Sequence, residues 1–434
     1  MKRALTSLFV FSSALVSAEV VSFSREVAPI LQRQCVACHK EGKAKGKYRL
    51  DTYEQLRKEI DPGDLETELL HRVTTDDTEE RMPVDADPLR DDEISVIRRW
   101  IVEGAKYDGE DPGALLSEII PMQGHPEAPS SYPRPLGVTA MVFGREGEKL
   151  YTGGYHEILI WNPEDGALLG RIPNNGQRSY GLALSPEGKM LAAATGDPGQ
   201  AGEVRVFDNQ SGRVLATPFR GGDTLLAVDF SPDGRILAFG GVDGKLRLFQ
   251  TETWTEVLAV DAHSDWLTAL SWNRGGNQVA TASRDKTAKV YNVTTGKRVS
   301  TFSGHPEAVR GIAFHSNGKE VLSTGDHGHL FVWGSENGKK VADRAKFGGP
   351  VLRFVEGRRE FFATTPGGVV VQFDAEKQKR LQEFKIASQA GAEAPTISSC
   401  ASWGTLLAVG TLDGRVIIFD TETGDQRTVF LAKP

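Results

Sequence analysis

From Val138 onward the chain repeats itself, and this restricts the fold more than any other feature. An aromatic residue closes a strand-like run at Trp161, Phe207, Phe249, Tyr291, Trp333, Phe373 and Phe419, at intervals of 46, 42, 42, 42, 40 and 46 residues. Before most of these aromatics, apolar residues alternate, as in Val204/Val206, Leu246/Leu248, Leu330/Val332 and Val416/Ile418. A period of two marks a β-strand. Polar turn sequences recur at matching places, among them Ser185-Pro186-Glu187-Gly188 and Ser231-Pro232-Asp233-Gly234. Each repeat has room for four short strands. Such a unit cannot bury both faces of its sheet alone, so units stack radially and close into a ring. The seven aromatics predict an all-β, seven-bladed ring over residues 138–434. Arg427 to Leu431 can supply the last outer strand, so closure is expected without a strand exchanged from the N-terminal side.

The opposite end of the chain carries an address. Lys2 and Arg3 precede an apolar run from Ala4 to Val16, and Val16-Ser17-Ala18 supplies small residues for a peptidase. That plan predicts a secretory signal peptide over residues 1–18 and a mature chain exported to the periplasm or beyond. No apolar run is long enough for a membrane span, which takes about 18 residues or more. Residues 19–110 carry 15 basic and 22 acidic side chains, whereas residues 111–434 are nearly balanced at 34 and 36. Without a basic face the chain is not expected to bind nucleic acid. The acidic first part suits a partner with a basic patch.

Cys35-Val36-Ala37-Cys38-His39 fits C-x-x-C-H, the attachment pattern of c-type haem. Two thiols at this spacing can each form a thioether to one vinyl group, which holds the adjacent imidazole beneath the iron. A redox-active C-x-x-C pair would not require the His. A zinc site would need more ligands, and Cys400 is the remaining cysteine. For the second axial position the candidate is Met82, in Arg81-Met82-Pro83; thioether ligation would favour ferrous iron. His71 competes, but a helix predicted from about Asp64 turns Leu65, Leu69, Leu70 and Val73 inward and leaves His71 with Asp64, Thr67 and Glu68 on the polar face. An open or water-held position is the third possibility. Ser24 is expected to cap a helix carrying Val27, Ile30 and Leu31, and Asp91 one carrying Ile94, Ile97 and Ile101, with Phe23 and Trp100 packed between them.

The surrounding strings resemble the planctomycete-type cytochrome c domain. They are Phe23-Ser24-Arg25-Glu26-Val27, Pro29-Ile30-Leu31, the haem motif, Tyr48-Arg49-Leu50-Asp51-Thr52, Pro62-Gly63-Asp64, Glu80-Arg81-Met82-Pro83 and Arg99-Trp100-Ile101-Val102-Glu103-Gly104-Ala105. The likeness implies a small all-α, class-I-like cytochrome over residues 19–107, with one covalent haem c on Cys35 and Cys38 and with His39 and Met82 as axial ligands. Val84 departs from the family, which usually has a second Pro there. Lys40, Lys43, Lys45 and Lys47 form a basic loop, expected to be solvated.

Residues 108–137 contain six prolines and are expected to be a stiff extended linker, with Leu115, Ile119 and Ile120 pinning it to the following module. The repeats themselves resemble the WD-repeat propeller family. Gly304-His305, Thr324, Asp326 and Trp333 resemble its His–Ser/Thr–Asp–Trp network, and His263, Ser283, Asp285 and Tyr291 do so less fully. His327-Gly328-His329 lacks a carboxylate cluster and is expected to be a polar turn, not a metal site. Neither a nucleophile elbow nor a phosphate loop appears. The combined expectation is an exported monohaem electron carrier, more than a self-contained enzyme, with the propeller docking a protein partner and a redox protein meeting the haem module. Two alternatives are a propeller oxidoreductase feeding electrons to the haem, and a haem-based sensor or scaffold.

Overall fold

The computed structural model describes residues 20–36, 38–40, 43–44, 48–84, 88–120, 124–345, 352–354, 360–365, 368–374, 379–387 and 395–434. The predicted signal segment 1–18, Ala37, Lys45 and Lys47 lie outside them. The chain divides into two compact units, residues 1–123 and 124–434.

The first unit is built on short helices: Ala28–Gln34, Tyr53–Leu56, Glu68–Thr74, Asp91–Val102 and Leu116–Ile119. It is not purely helical, because His39–Lys40 pairs with Lys43–Ala44 as an antiparallel ribbon. Phe23, Leu31, Leu56, Leu70, Ile97 and Trp100 are buried in one core. Phe23 and Trp100 do pack together, with ring centroids 5.1 Å apart. Two caps differ from expectation. The Ser22 hydroxyl accepts from Arg25 N at 3.1 Å while Glu26 accepts from Ser22 N at 2.8 Å, a reciprocal cap that starts a π-turn at Phe23. Ser24 instead donates its backbone N–H to Asp108. Arg90, not Asp91, is the cap residue of Asp91–Val102, because Glu93 reaches back to Arg90 N at 3.0 Å. The three acidic residues then fill the first turn, where the helix dipole favours them.

Residues 108–137 do not run as one linker. Leu116 is fully buried in the first core, its N–H bonds Asp51 O at 2.9 Å, and Ile119 and Ile120 pack on the same cluster. The expected pinning to the following module is therefore corrected: these apolar residues complete the first unit. Residues 124–137 belong to the second.

The second unit is a seven-bladed propeller. Each blade is an antiparallel sheet of four consecutive strands, from Met141–Phe143, Leu150–Gly153, Glu157–Trp161 and Leu168–Pro173 to Ile397–Trp403, Leu406–Thr411, Arg415–Asp420 and Gln426–Leu431. All seven periodic aromatics fall on third strands. Outer strands alternate between exposed and half-buried, as in Glu256–Asp261. Second and third strands are buried on both faces, because each sheet is sandwiched between neighbouring blades. Polar residues at alternate positions therefore need partners. Arg205 is fully buried and holds Glu203 and Asn174, and Gln372 bonds Glu360 at 3.1 Å. Gly188 and Gly234 close the Ser-Pro turns at φ of 77° and 72°, a conformation that Gly alone adopts freely, and each N–H returns to its Ser carbonyl.

The bracing networks use other residues than the family likeness implied. In the fifth blade His305 Nε2 meets Ser323 Oγ at 2.7 Å and Trp333 Nε1 donates to the same Oγ at 3.0 Å. Val321 sits opposite Trp333, so Ser323 shares its face while Thr324 lies on the other. Asp326 does not join either; it pairs with Arg310, and His327 Nε2 takes its place at 2.6 Å from His305 Nδ1. In the fourth blade Thr281, not Ser283, bonds His263 at 2.9 Å, with Asp285 on the other ring nitrogen at 2.9 Å. Trp161 and Thr152 repeat the same diagonal at 2.9 Å. His329 is held by Asp343 at 2.7 Å, and among the described residues no group of three or more His, Cys, Asp or Glu side chains is placed to hold a metal ion.

The ring closes without strand exchange. Val138 N donates to Thr411 O at 3.0 Å, the Ser398 and Ser399 hydroxyls donate to Val138 O, and Trp403 Nε1 donates to Arg145 O at 2.7 Å. The strap ahead of Val138 is also tied down. His125 lies 2.6 Å from Glu203, Arg171 donates to the Pro129 and Ser130 carbonyls, and the Tyr132 hydroxyl donates to Glu157. Glu157 is 1% exposed and shared between Tyr132 and Arg171. Arg171→Ala removes the cation from this buried carboxylate and frees the strap, and is expected to destabilise the propeller by roughly 3 kcal/mol. Denaturant unfolding of the variant measures this.

Burial, then the neighbouring His327, lower the pKa of His305 to about 3, with Asp343 opposing and His329 adding. A histidine with a depressed folded pKa contributes stability that is full above its unfolded value, about 6.5, and is lost as pH falls toward 3. Thermal unfolding of the propeller should show a loss on the order of 3 kcal/mol across that window. His327→Asp, which supplies a carboxylate to a protonated His305, should flatten or reverse that slope.

Candidate functional site

The helix Ala28–Gln34 ends at Cys35, whose N–H still bonds Leu31 O at 2.9 Å. The chain then turns tightly: the N–H groups of Cys38 and His39 both bond Cys35 O at 3.1 Å. This turn places both thiols and the imidazole on one side. The His39 Nδ1 lies 3.2 Å from Tyr48 O, so it donates there and leaves Nε2 with a free lone pair. A backbone bond from Leu50 N to His39 O at 2.9 Å fixes the segment that carries Tyr48.

Cys35, Cys38, His39 and Met82 line one cavity of about 620 Å³, within the size range of cofactor sites. Tyr48, Leu50, Leu69, Val73, Pro83 and Leu89 supply most of its other walls. Glu59, Glu68 and Arg72 bring charge to it. Met82 comes from the loop after Glu68–Thr74, and its N–H bonds Arg72 O at 2.8 Å. His71 does not line the cavity. Its side chain is 58% exposed and faces Glu80 at 3.4 Å, as the helical phase implied, although the helix starts at Glu68 and not near Asp64, which leaves Leu65 exposed and Thr67 buried as its cap.

Two observations bear on what the cavity can hold. Burial pushes the Cys35 thiol up to about 12, with Cys38 and Glu93 adding to the rise. A thiol so protonated at neutral pH is unlike the low-pKa nucleophile of a thiol–disulfide enzyme. The Tyr48 hydroxyl is buried in the cavity wall with no hydrogen-bond partner among the described residues, and burial pushes it up to about 12 as well. A buried donor without a partner among the described residues, on a residue that lines a ligand-sized cavity, is compatible with a bound group that has a polar edge. The apolar walls, two thiols, an imidazole and a thioether together fit a haem. Sequence reasoning did not single out Tyr48 or Arg72 for this site, although both lie beside residues it did mark.

The propeller encloses a second, smaller cavity of about 380 Å³ along its axis, lined by innermost-strand residues including Tyr180, Thr268, Trp272 and Arg310. Arg310 is neutralised there by Asp326.

Comparison with known proteins agrees with this division. Residues 35–85 match the family described as planctomycete cytochrome C. Residues 212–250, 254–292 and 296–334 match the WD domain, G-beta repeat. The meiotic recombination protein rec14 of Schizosaccharomyces pombe is 26% identical over 162 residues, which cover 37% of this chain and 47% of that protein. The chain thus spans about half the length of this curated relative.

The orphaned hydroxyl gives a test of the cavity. In a Cys35→Ser/Cys38→Ser background, which cannot attach a cofactor, Tyr48→Phe should stabilise the first unit by about 1 kcal/mol, because it removes an unsatisfied buried donor. In the native, loaded chain the same substitution should be destabilising. Thermal unfolding of the two pairs checks the change of sign.

Proposed function

We propose that this chain is an exported monohaem c-type cytochrome that transfers single electrons, with its WD propeller serving as a protein-docking module. The observation that carries the reading is the meeting of the Cys35–His39 motif with Met82, distant from it in sequence, on the walls of one cavity. In this reading Cys35 and Cys38 would hold haem c through thioethers, and His39 and Met82 would ligate its iron. Haem c supplies a one-electron couple when bound. The chain's own contributions are distinct. Tyr48 O orients the His39 ring, the apolar walls exclude water, and Met82 offers a soft ligand that favours the reduced metal. The helical frame of Ala28–Gln34, Glu68–Thr74 and Asp91–Val102 supports a class-I-like arrangement.

The acidic first unit favours a redox protein with a basic docking patch. The propeller is read as holding a protein partner, the use to which radial sheet platforms lend themselves. Export to the periplasm rests on the N-terminal sequence plan. Among the described residues no helix is long and apolar enough to cross a membrane.

Mature protein purified from the periplasm should carry the added mass of one tetrapyrrole and show a low-spin spectrum with a sulfur-to-iron charge-transfer band. Met82→Ala should lose that band and lower the reduction potential while keeping the covalent haem. Colourless mature protein of unmodified mass would sink the redox reading. Substrate-dependent haem reduction without any partner would favour the oxidoreductase alternative.

A further inference from the structure

The loop that delivers Met82 has little packing of its own. Residues 76–80 are exposed, and Arg81, Met82 and Pro83 are only half-buried. Segments with few buried contacts open locally at low cost, so something other than core burial must hold this loop shut. Apart from His71 Nε2, 3.4 Å from the exposed Glu80 carboxylate, the contacts to the preceding helix converge on one residue. Arg72 O accepts from Met82 N at 2.8 Å. The Arg72 guanidinium donates from Nη1 to Glu80 O at 3.3 Å and from Nε to Glu68 Oε1 at 2.6 Å. Arg72 therefore grips the loop on both sides of Arg81, through its carbonyl and through its side chain. Glu68, one helical turn earlier, fixes the guanidinium in place. The helix is itself anchored by Leu69, Leu70 and Val73 in the core.

We propose that Arg72 is the positioning residue for Met82: a two-point clasp, set by Glu68, that keeps the thioether loop closed over the cavity. The proposal rests on the reading of Met82 as an axial ligand. The planar guanidinium is needed because it must reach a carboxylate and a carbonyl at once, which an ammonium point charge does not do. The backbone bond from Met82 N survives any substitution at position 72, so side-chain variants isolate the clasp.

The test uses the full-length, haem-loaded ferric protein with imidazole as a competing ligand. Imidazole reaches the iron only when the loop is open, so its apparent affinity reports the open fraction. Arg72→Gln should raise that affinity about fivefold, as expected for losing one charge-assisted hydrogen bond at a partly exposed site. Arg72→Lys should not restore the native value, and Glu68→Gln should shift it in the same direction by less. Met82→Ala sets the upper limit. A merely structural role for Arg72 would lower the unfolding midpoint and leave the imidazole affinity of the folded protein unchanged; that result overturns the clasp. Native affinity in Arg72→Lys overturns its two-point character. If the native protein lacks the sulfur-to-iron band and Met82→Ala binds imidazole no better, the ligation reading itself has failed, and the clasp falls with it.

Discussion

Burial on both faces governs the larger unit. The second and third strands of each blade have no solvent side, so no blade is stable without a neighbour on each flank. Ring closure is therefore a requirement of every sheet. Here no strand is exchanged between first and last blades. The seam relies on Val138, whose N–H and C=O meet Thr411 and the Ser398 and Ser399 hydroxyls, and on ring contact between Trp161 and Phe430 at 5.0 Å. The strap from His125 to Gly137 is held to the first and second blades, where Arg171 and Arg178 donate to its backbone carbonyls.

The same constraint explains the polar chemistry inside the blades. A buried Arg205 or Glu203 is tolerable only as part of a satisfied group, and His125, Arg205 and Arg220 all converge on Glu203. The fifth blade departs from the others in using two imidazoles where the fourth uses His263 and Asp285. A neutral His–His bond needs no buried charge, but it requires both rings to stay unprotonated. Burial lowers both His305 and His327, in keeping with that demand.

In the first unit the problem is to bring a tight turn and a distant loop to one cavity with a small core. The Cys35 carbonyl organises the turn by accepting from both Cys38 and His39, and Glu68–Thr74 returns the loop that ends at Met82. Two of the cavity's three charged side chains, Glu68 and Arg72, come from the same helix, and Glu59 is the third. The Tyr48 hydroxyl is buried without a hydrogen-bond partner among the described residues, a cost that a bound group with a polar edge would offset.

Local pattern was enough for the features that depend on local pattern. Aromatic spacing determined the number of blades, since a closed ring of four-stranded sheets is what remains when each repeat is too small to bury its own faces. The C-x-x-C-H spacing and the helical phase of His71 likewise marked the haem candidates and set that histidine outside. Tertiary structure decided whatever depends on which face or unit a residue joins. Ser323 displaced Thr324 because only one strand parity faces Trp333, and His327 displaced Asp326 because Arg310 claims that carboxylate. Leu116 entered the first core although its prolines read as linker, and Tyr48 and Arg72 became part of the cavity only once the helix Glu68–Thr74 and the turn at His39 were packed together. Sequence period encodes exposure along one element, whereas hydrogen-bond partners are set by neighbours that the period does not specify.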